Sequence, residues 1–148
     1  MRIKMNIVYK EQKNYTPKQL QGLFSSVNWE SGHYPNRLVK AMENSSLVIS
    51  AWDGDKLVGL VRSLDDGATV AFVHYLLVDP AYQKFHIGSG LMERLLHKYE
   101  DFLYVKIMPS DPATVPFYEK LGFRQQDNYC AMVINHMDRT EDFLPDEL

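Results

Sequence analysis

The sequence has little cysteine, no long apolar run and no excess of basic residues. Cys130 is the only cysteine among 148 residues, so an internal disulfide or a metal cluster held by cysteines is excluded. No apolar stretch approaches the roughly 20 residues of a membrane-spanning helix, and the N-terminus lacks the apolar segment of a secretion signal. We therefore expect a cytoplasmic protein that does not span a membrane, with Cys130 as a small core residue in a strand.

The charges are balanced rather than concentrated. Sixteen Lys and Arg residues face 19 Asp and Glu residues, for a net charge of -3. A nucleic-acid partner is not expected, because neutralising phosphates requires a concentrated basic face. The clearest charge run is the acidic tail, residues 138–148, which we expect to be a solvated, frayed end. A hydrophobic content of 45% with 24% charged residues is typical of one globular domain, here residues 1–148.

The pattern of apolar residues predicts the element order βααβββαβαβ. This order is typical of an α/β fold of the mixed-sheet (α+β) kind, with helices on both faces of the sheet. The predicted strands are residues 5–11, 47–52, 56–62, 68–78, 102–108 and 129–134. The predicted helices are residues 16–27, a short helix from residue 35, and residues 88–99 and 111–121.

Residues 83–91 join a predicted buried strand to a predicted helix. Gly88 and Gly90 lie in this stretch. The first N-H groups of a helix have no intrahelical partner and lie at the positive end of the helix dipole, so the corner is suited to an anion such as phosphate. Alternatively, the two glycines serve only to let the helix pack closely on the sheet.

Two stretches of the sequence resemble signatures of the GNAT (GCN5-related) N-acetyltransferases. Residues 82–91, Tyr-Gln-Lys-Phe-His-Ile-Gly-Ser-Gly-Leu, are similar to the acetyl-CoA motif Gln/Arg-x-x-Gly-x-Gly/Ala, and residues 78–80, Val-Asp-Pro, supply the usual strand ending. Residues 117–123, Phe-Tyr-Glu-Lys-Leu-Gly-Phe, are similar to the second signature, Phe-Tyr-x-x-x-Gly-Phe. Two departures are His86, which replaces the first glycine of the motif, and Asp111, which replaces a common asparagine.

The resemblance implies a GNAT-like domain that uses acetyl-CoA as co-substrate. Backbone N-H groups from Lys84 to Ser89 would hold the pyrophosphate, and backbone groups of Leu76 and Val78 would pair with the pantetheine arm. The residues implied in binding the coenzyme are Leu76, Leu77, Val78, Gln83, Lys84, Phe85, His86, Ile87, Gly88, Ser89 and Phe117. No metal is expected, since the histidines lie on separate elements without ligand spacing.

The resemblance also implies the catalytic groups. Tyr118 matches the general acid of the family, although helical spacing alone would explain it as an interfacial aromatic residue. A backbone N-H near Leu77 would stabilise the oxyanion. His74 interrupts an apolar run, and strict alternation would place it on the face of Leu76 and Val78. We interpret His74 as the general base, with the loop residues His33 and Glu30 as alternatives and a structural role for His74 also open.

The acceptor is expected to be a small primary amine, while protein N-termini and lysines remain open. The residues expected to line its pocket are Trp29, Glu30, His33, Tyr34 and Tyr75. A homodimer is compatible with the sequence, but no residue pattern specifies an interface. The alternative function is a non-catalytic sensor of an acyl-CoA or another small ligand, which His86 in the place of a glycine keeps open.

Overall fold

A five-stranded mixed sheet in the order β1-β2-β3-β4-β5 carries the fold in the computed structural model, which describes residues 6–144. The strands are β1 (Ile7–Glu11), β2 (Leu47–Asp53), β3 (Lys56–Asp65), β4 (Val70–Val78) and β5 (Tyr104–Ile107). The helices are α1 (Pro17–Ser26), α2 (Pro35–Glu43), α3 (Ile87–Lys98) and α4 (Val115–Lys120), and 3₁₀ turns occupy Glu30–His33, Pro80–Phe85 and Pro112–Thr114. Neighbouring strands are antiparallel except β4 and β5, which are parallel.

Local sequence signals fix where the helices begin and end. Thr16 Oγ1 accepts a hydrogen bond from the Gln19 N-H at 3.1 Å, and Gln19 Oε1 accepts one from the Thr16 N-H at 3.0 Å. This reciprocal capping box satisfies two N-H groups that the start of α1 leaves unpaired. Gly122 follows α4 with a φ of 106°, the left-handed conformation in which glycine commonly terminates a helix.

The sheet separates two hydrophobic cores, and helices cover both faces as predicted. On one face α3 packs on the sheet through residues that include Val58, Val61, Val73, Ile87, Leu91, Met92 and Leu95. On the other face α1 and α2 pack through residues that include Leu20, Phe24, Leu38, Met42, Leu60 and Leu77. The mixed α/β class is therefore confirmed. Among the described residues, no helix is long and apolar enough to cross a membrane.

The predicted last strand, residues 129–134, does not join the sheet. These residues are exposed and have no regular secondary structure, so the prediction that Cys130 is a core residue of a strand is wrong as well. The physical reason lies in the residues that follow them. The carbonyl groups of Met137 and Arg139 accept hydrogen bonds from the Tyr34 hydroxyl, both at 2.9 Å, which draws the chain toward α2 instead of along β5.

The acidic tail is bound rather than frayed over its described part. The Asp142 carboxylate accepts hydrogen bonds from the N-H groups of Asn36 and Arg37, both at 3.2 Å, and so caps the start of α2. Glu141 pairs with His33 Nδ1 at 2.8 Å. A carboxylate is favoured here by the partial positive charge of a helix N-terminus. Residues 145–148, and Met5 of the predicted first strand, lie outside the described residues.

The close approach of α3 to β3 depends on Gly59. A Cβ added there would lie 3.0 Å from Ile87 Cγ2 and 3.2 Å from Leu91 Cδ1, whereas one added at Gly22 in α1 would meet nothing within 4 Å. We expect Gly59→Ala to lower the free energy of unfolding by about 1 kcal/mol through overpacking. The control Gly22→Ala should raise it by about 0.5–1 kcal/mol. Urea unfolding measures both, and a Gly59→Ala protein as stable as Gly22→Ala would contradict tight packing of α3.

Candidate active site

The parallel strands β4 and β5 pair over only part of β4. The register runs from Val70 opposite Tyr104 to Val73 opposite Ile107, while β4 continues to Val78. The last residues of β4 therefore have a backbone edge that β5 does not cover. That edge lies at the carboxyl ends of the parallel strands, where ligands bind in open α/β sheets.

The chain turns sharply from β4 into α3. Asp79 caps the Pro80–Phe85 turn by accepting from the Ala81 N-H at 2.9 Å. His86 then has the left-handed conformation, with φ 56° and ψ 28°, and α3 begins at Ile87. This conformation favours glycine but is open to other residues at a cost of roughly 1–2 kcal/mol. The first N-H groups of α3 are left without intrahelical partners, as an anion site requires.

Three residues expected to bind a coenzyme, Val78, Gly88 and Phe117, lie close together at this corner. A Cβ added at Gly88 would lie 3.5 Å from Phe117 Cζ and 3.9 Å from Val78 Cγ2. The end of β4, the start of α3 and the start of α4 thus meet at a position without a side chain. Gln83, Lys84, Phe85 and His86 are exposed on the turn beside it, and the Gln83 amide donates to the Val78 carbonyl at 3.4 Å.

A β-bulge places His74. Arg62 lies opposite Tyr75 and Ser63 lies opposite Val73, so His74 is an extra residue in β4. The bulge breaks the alternation of side chains. Leu76 and Val78 pack on the α3 side, whereas His74 contacts Tyr75, which packs on the α1 and α2 side. The prediction that His74 shares a face with Leu76 and Val78 is therefore wrong.

His74 is held by a buried arginine. The Arg62 guanidinium donates through Nη2 to His74 Nδ1, because a guanidinium has no acceptor atom. His74 is exposed at the protein surface, but partial desolvation of its ring and then the positive charge of Arg62 lower the pKa of His74 to about 4. The imidazole is therefore neutral at pH 7, and its proton lies on Nε2. This leaves Nε2 as a hydrogen-bond donor.

No sequence pattern predicted a role for Arg62, although it is a charged residue within an apolar run. It is buried, and its guanidinium lies 4.9 Å from the centre of the Tyr75 ring. Among the described residues, no hydrogen-bond partner is present for its Nε, and no carboxylate lies within ion-pair distance. Its burial lowers the pKa of the guanidinium, but the high reference value keeps it charged. A positive charge is thus fixed in the sheet beside His74.

Two of the five expected acceptor residues meet in an aromatic cluster. The ring of Tyr75 lies 6.0 Å from Trp29 and 4.9 Å from Phe24, and its hydroxyl is 2.9 Å from Ser31 Oγ. This cluster joins β4 to the Glu30–His33 turn. Glu30 is exposed on the turn, whereas His33 and Tyr34 contact the C-terminal segment.

Tyr118 is partly buried near Phe117 and Phe123. The ring centres are 5.0 Å and 5.9 Å away, both with edge-to-face geometry. Burial raises the pKa of the Tyr118 phenol above its ordinary value. The hydroxyl therefore keeps its proton throughout the physiological pH range.

Comparison with known proteins gives a consistent result. The family model described as Acetyltransferase (GNAT) family matches residues 8–123. An uncharacterised ycf52-like N-acetyltransferase of Prochlorococcus marinus is 30% identical over 120 residues, covering 76% of this chain and 66% of that protein. Serotonin N-acetyltransferase of Macaca mulatta is 29% identical over 98 residues, covering 64% of this chain and 48% of that protein. The chain thus spans about half to two thirds of the length of these relatives.

A solved structure matches over nearly its whole length. A GNAT family acetyltransferase from Streptococcus pneumoniae has a TM-score of 0.76 and 30% sequence identity, with 88% of this chain and 99% of that chain covered. The match therefore covers most of this chain.

The contact between Arg62 and His74 predicts a pH dependence. Because the folded-state pKa of His74 is about 4 and its ordinary value is 6.5, the unfolded chain binds more protons between these values. Stability should therefore fall as the pH drops from about 6.5 toward 4. NMR titration should also show that Arg62→Met raises the pKa of His74, because the variant removes the positive charge beside the ring.

His74→Gln provides a second measurement that does not depend on Arg62. The variant should lose less stability than the wild type between pH 6.5 and 4, because one group that takes up a proton on unfolding is absent. Urea unfolding at several pH values measures this difference. A wild-type His74 that titrates near 6.5 would contradict the contact.

Proposed function

The chain belongs to the GNAT acetyltransferase family, and from this we propose that it transfers the acetyl group of acetyl-CoA to the primary amine of a small molecule. The observation that carries the proposal is the corner at Gly88. The uncovered end of β4, the unpaired N-H groups of α3 and Phe117 of α4 all meet there.

The corner offers two kinds of backbone group to the coenzyme. N-H groups from Lys84 to Ser89, at the turn and the start of α3, would hold the pyrophosphate. Backbone groups of Leu76 and Val78 would pair with the pantetheine arm, as an added strand pairs with a sheet edge. The Gln83 amide must release the Val78 carbonyl for this pairing.

Acetyl-CoA supplies an activated thioester when bound. The amine attacks the carbonyl carbon, the carbon–sulfur bond breaks, and the thiolate that leaves takes up a proton. We assign delivery of this proton to the Tyr118 hydroxyl, whose raised pKa keeps it protonated until it is needed. The Leu77 N-H is assigned to the oxyanion, because donors fixed before the reaction stabilise developing charge.

The amine must lose a proton, and His74 remains our first candidate for accepting it. The Arg62 contact occupies Nδ1 and lowers the pKa of His74, so a base role requires that contact to open. Glu30 is the alternative, since it is exposed on the turn beside the Tyr75 cluster. In either case the fixed charge of Arg62 would disfavour a protonated amine nearby and favour the neutral nucleophile.

The acceptor is proposed to be a small amine with an apolar body. Trp29 and Tyr75 would supply flat apolar walls, and the named relative from Macaca mulatta acts on serotonin, an aromatic amine. Glu30 and His33 are assigned to the polar rim of the same region. Tyr34 would fix the position of this region without contacting the acceptor directly, because its hydroxyl is hydrogen-bonded to the C-terminal segment.

Acetyl-CoA should stabilise the protein against unfolding. At a concentration one hundred times its dissociation constant, a ligand adds about 2.7 kcal/mol to the free energy of unfolding. Thermal unfolding with and without acetyl-CoA measures this difference.

His86→Gly should keep or tighten binding of acetyl-CoA, since glycine adopts the left-handed conformation without strain. Gly88→Val should weaken binding about tenfold or more (about 1.4 kcal/mol), because its side chain fills the space beside Phe117. Absence of stabilisation in the wild type would refute the proposal.

Tyr118→Phe separates binding from proton transfer. The variant should keep its stabilisation by acetyl-CoA but lose turnover by about a hundredfold, the lower end for a general acid. Thiol release in a screen of amines, aromatic amines first, measures turnover, and Tyr129→Phe is the control for loss of a phenol elsewhere. Unchanged turnover would remove Tyr118 from the acid role. Coenzyme binding by the wild type without thiol release for any amine would favour the sensor function.

A further inference from the structure

The hydrogen bonds of the buried Arg62 side chain are incomplete. A guanidinium carries five N-H donors, and only 9% of Arg62 is exposed. Its Nη2 donates to His74 Nδ1, and its Nη1 donates to Ser45 Oγ over a long 3.4 Å contact. Among the described residues its Nε has no partner. Because buried polar groups are normally hydrogen-bonded, a further acceptor is expected at this side chain.

The charge of Arg62 is unpaired as well. The ion pairs present in residues 6–144 join other side chains. Charges that proteins bury are almost always paired, since an uncompensated charge destabilises the fold. An anion from outside the chain is therefore the expected partner of this guanidinium.

The guanidinium borders the aromatic cluster to which we assign the acceptor. Arg62 Cζ lies 4.9 Å from the centre of the Tyr75 ring. The centre of the same ring is 6.0 Å from that of Trp29 and 4.1 Å from that of His74. His74 is exposed, so the Arg62–His74 contact lies close to the protein surface. A molecule that lies against Tyr75 and Trp29 therefore has the guanidinium within reach of its substituents.

Charge and shape favour a carboxylate as that substituent. Arg62 brings one positive charge, and the lowered pKa of His74 keeps the imidazole beside it neutral at pH 7. A carboxylate carries a single negative charge, whereas a phosphate monoester carries about 1.5 to 2 at pH 7. A carboxylate also matches the planar fork of a guanidinium with two parallel hydrogen bonds. It is therefore the anion that fits this side chain best.

We propose that the acceptor amine carries a carboxylate, as an amino acid with an apolar body does, and that Arg62 binds this carboxylate in place of His74. The inference rests on the proposed acetyl transfer and names the class of its acceptor. Arg62 is then a specificity residue, because it contacts the acceptor away from the reacting amine.

Binding of the carboxylate also releases His74. Its Nδ1 loses the Arg62 donor and regains a free lone pair, and the negative charge offsets the cation beside the ring. Both changes favour proton uptake by the imidazole. The contact that must open for His74 to act as base is thus opened by the acceptor itself. The amine then becomes neutral by proton transfer to His74, since the charge of Arg62 is offset.

Matched acceptors test the proposal through turnover. Thiol release from acetyl-CoA is measured with phenylalanine against phenethylamine, and with para-aminomethylbenzoate against para-aminomethylbenzamide. In the wild type, the carboxylate member of a pair should have a kcat/KM higher by about tenfold or more, as a hydrogen bond to a charged group implies. Arg62→Met should abolish this difference mainly through KM. Arg62→Lys should restore part of it, since lysine keeps the charge but lacks the fork.

Arg94→Met is the matched control for loss of an arginine. Arg94 is exposed on α3 and contacts the Tyr9 ring, and α3 covers the other face of the sheet. The preference for carboxylates should persist in this variant. Thiol release without such a preference, or a preference that Arg62→Met retains or that Arg94→Met reduces equally, would overturn the inference and leave the proposed transfer intact.

Binding is measured separately from turnover. NMR of isotope-labelled histidine in the wild type, with His74→Gln to assign the signal, should show a change at His74 Nδ1 when para-aminomethylbenzoate is added. The corresponding benzamide should cause none. If no amine releases thiol, the proposed transfer fails, and this measurement alone decides whether Arg62 binds a carboxylate. An unchanged His74 signal at millimolar concentrations of the carboxylate would overturn the inference whatever the turnover.

Discussion

His74 is the extra residue of β4, and much of the site depends on the bulge that it makes. The bulge reverses the alternation of side chains, so that Tyr75 and Leu77 pack under α1 and α2 while Leu76 and Val78 pack toward α3. The pairing of β4 with β5 ends immediately before it, at Val73. Bulges occur next to active sites because they redirect side chains and end strand pairing, and here one residue does both.

Local signals predicted the elements well because their causes are short in range. The capping box at Thr16 and Gln19 and the helix terminator Gly122 act within a few residues, and two motifs indicated the corner at Gly88. The bulge could not be predicted, because alternation assumes strict pairing. The final strand was also predicted wrongly. The composition of residues 129–134 is that of a strand, but strand formation also requires a partner, and Tyr34 holds the residues that follow.

Electrostatics divide the site into two parts. At the corner, His86 accepts the left-handed conformation and α3 presents its positive end to an anion. At the bulge, Arg62 is a cation in the sheet without a carboxylate partner among the described residues, and its charge adds to the desolvation of the ring in lowering the pKa of His74. Uncompensated buried charge is destabilising, so its presence beside the proposed acceptor site is more readily explained by function than by stability. In the proposed function, the first part binds the coenzyme and the second favours the neutral form of the acceptor amine.

The C-terminal tail and the start of α2 that it contacts belong to the same chain, so the tail binds intramolecularly. Glu141 and Asp142 reach His33, Asn36 and Arg37 at a local concentration set by the chain that tethers them, residues 129–136. Surface ion pairs and helix caps contribute only about 0.3–1 kcal/mol each at exposed positions, too little to hold a separate peptide. The contacts of the tail with the turn beside Trp29 and Tyr75 therefore depend on the length and continuity of residues 129–136. Cleavage in this segment would release the tail, because the separated peptide would be too dilute to stay bound.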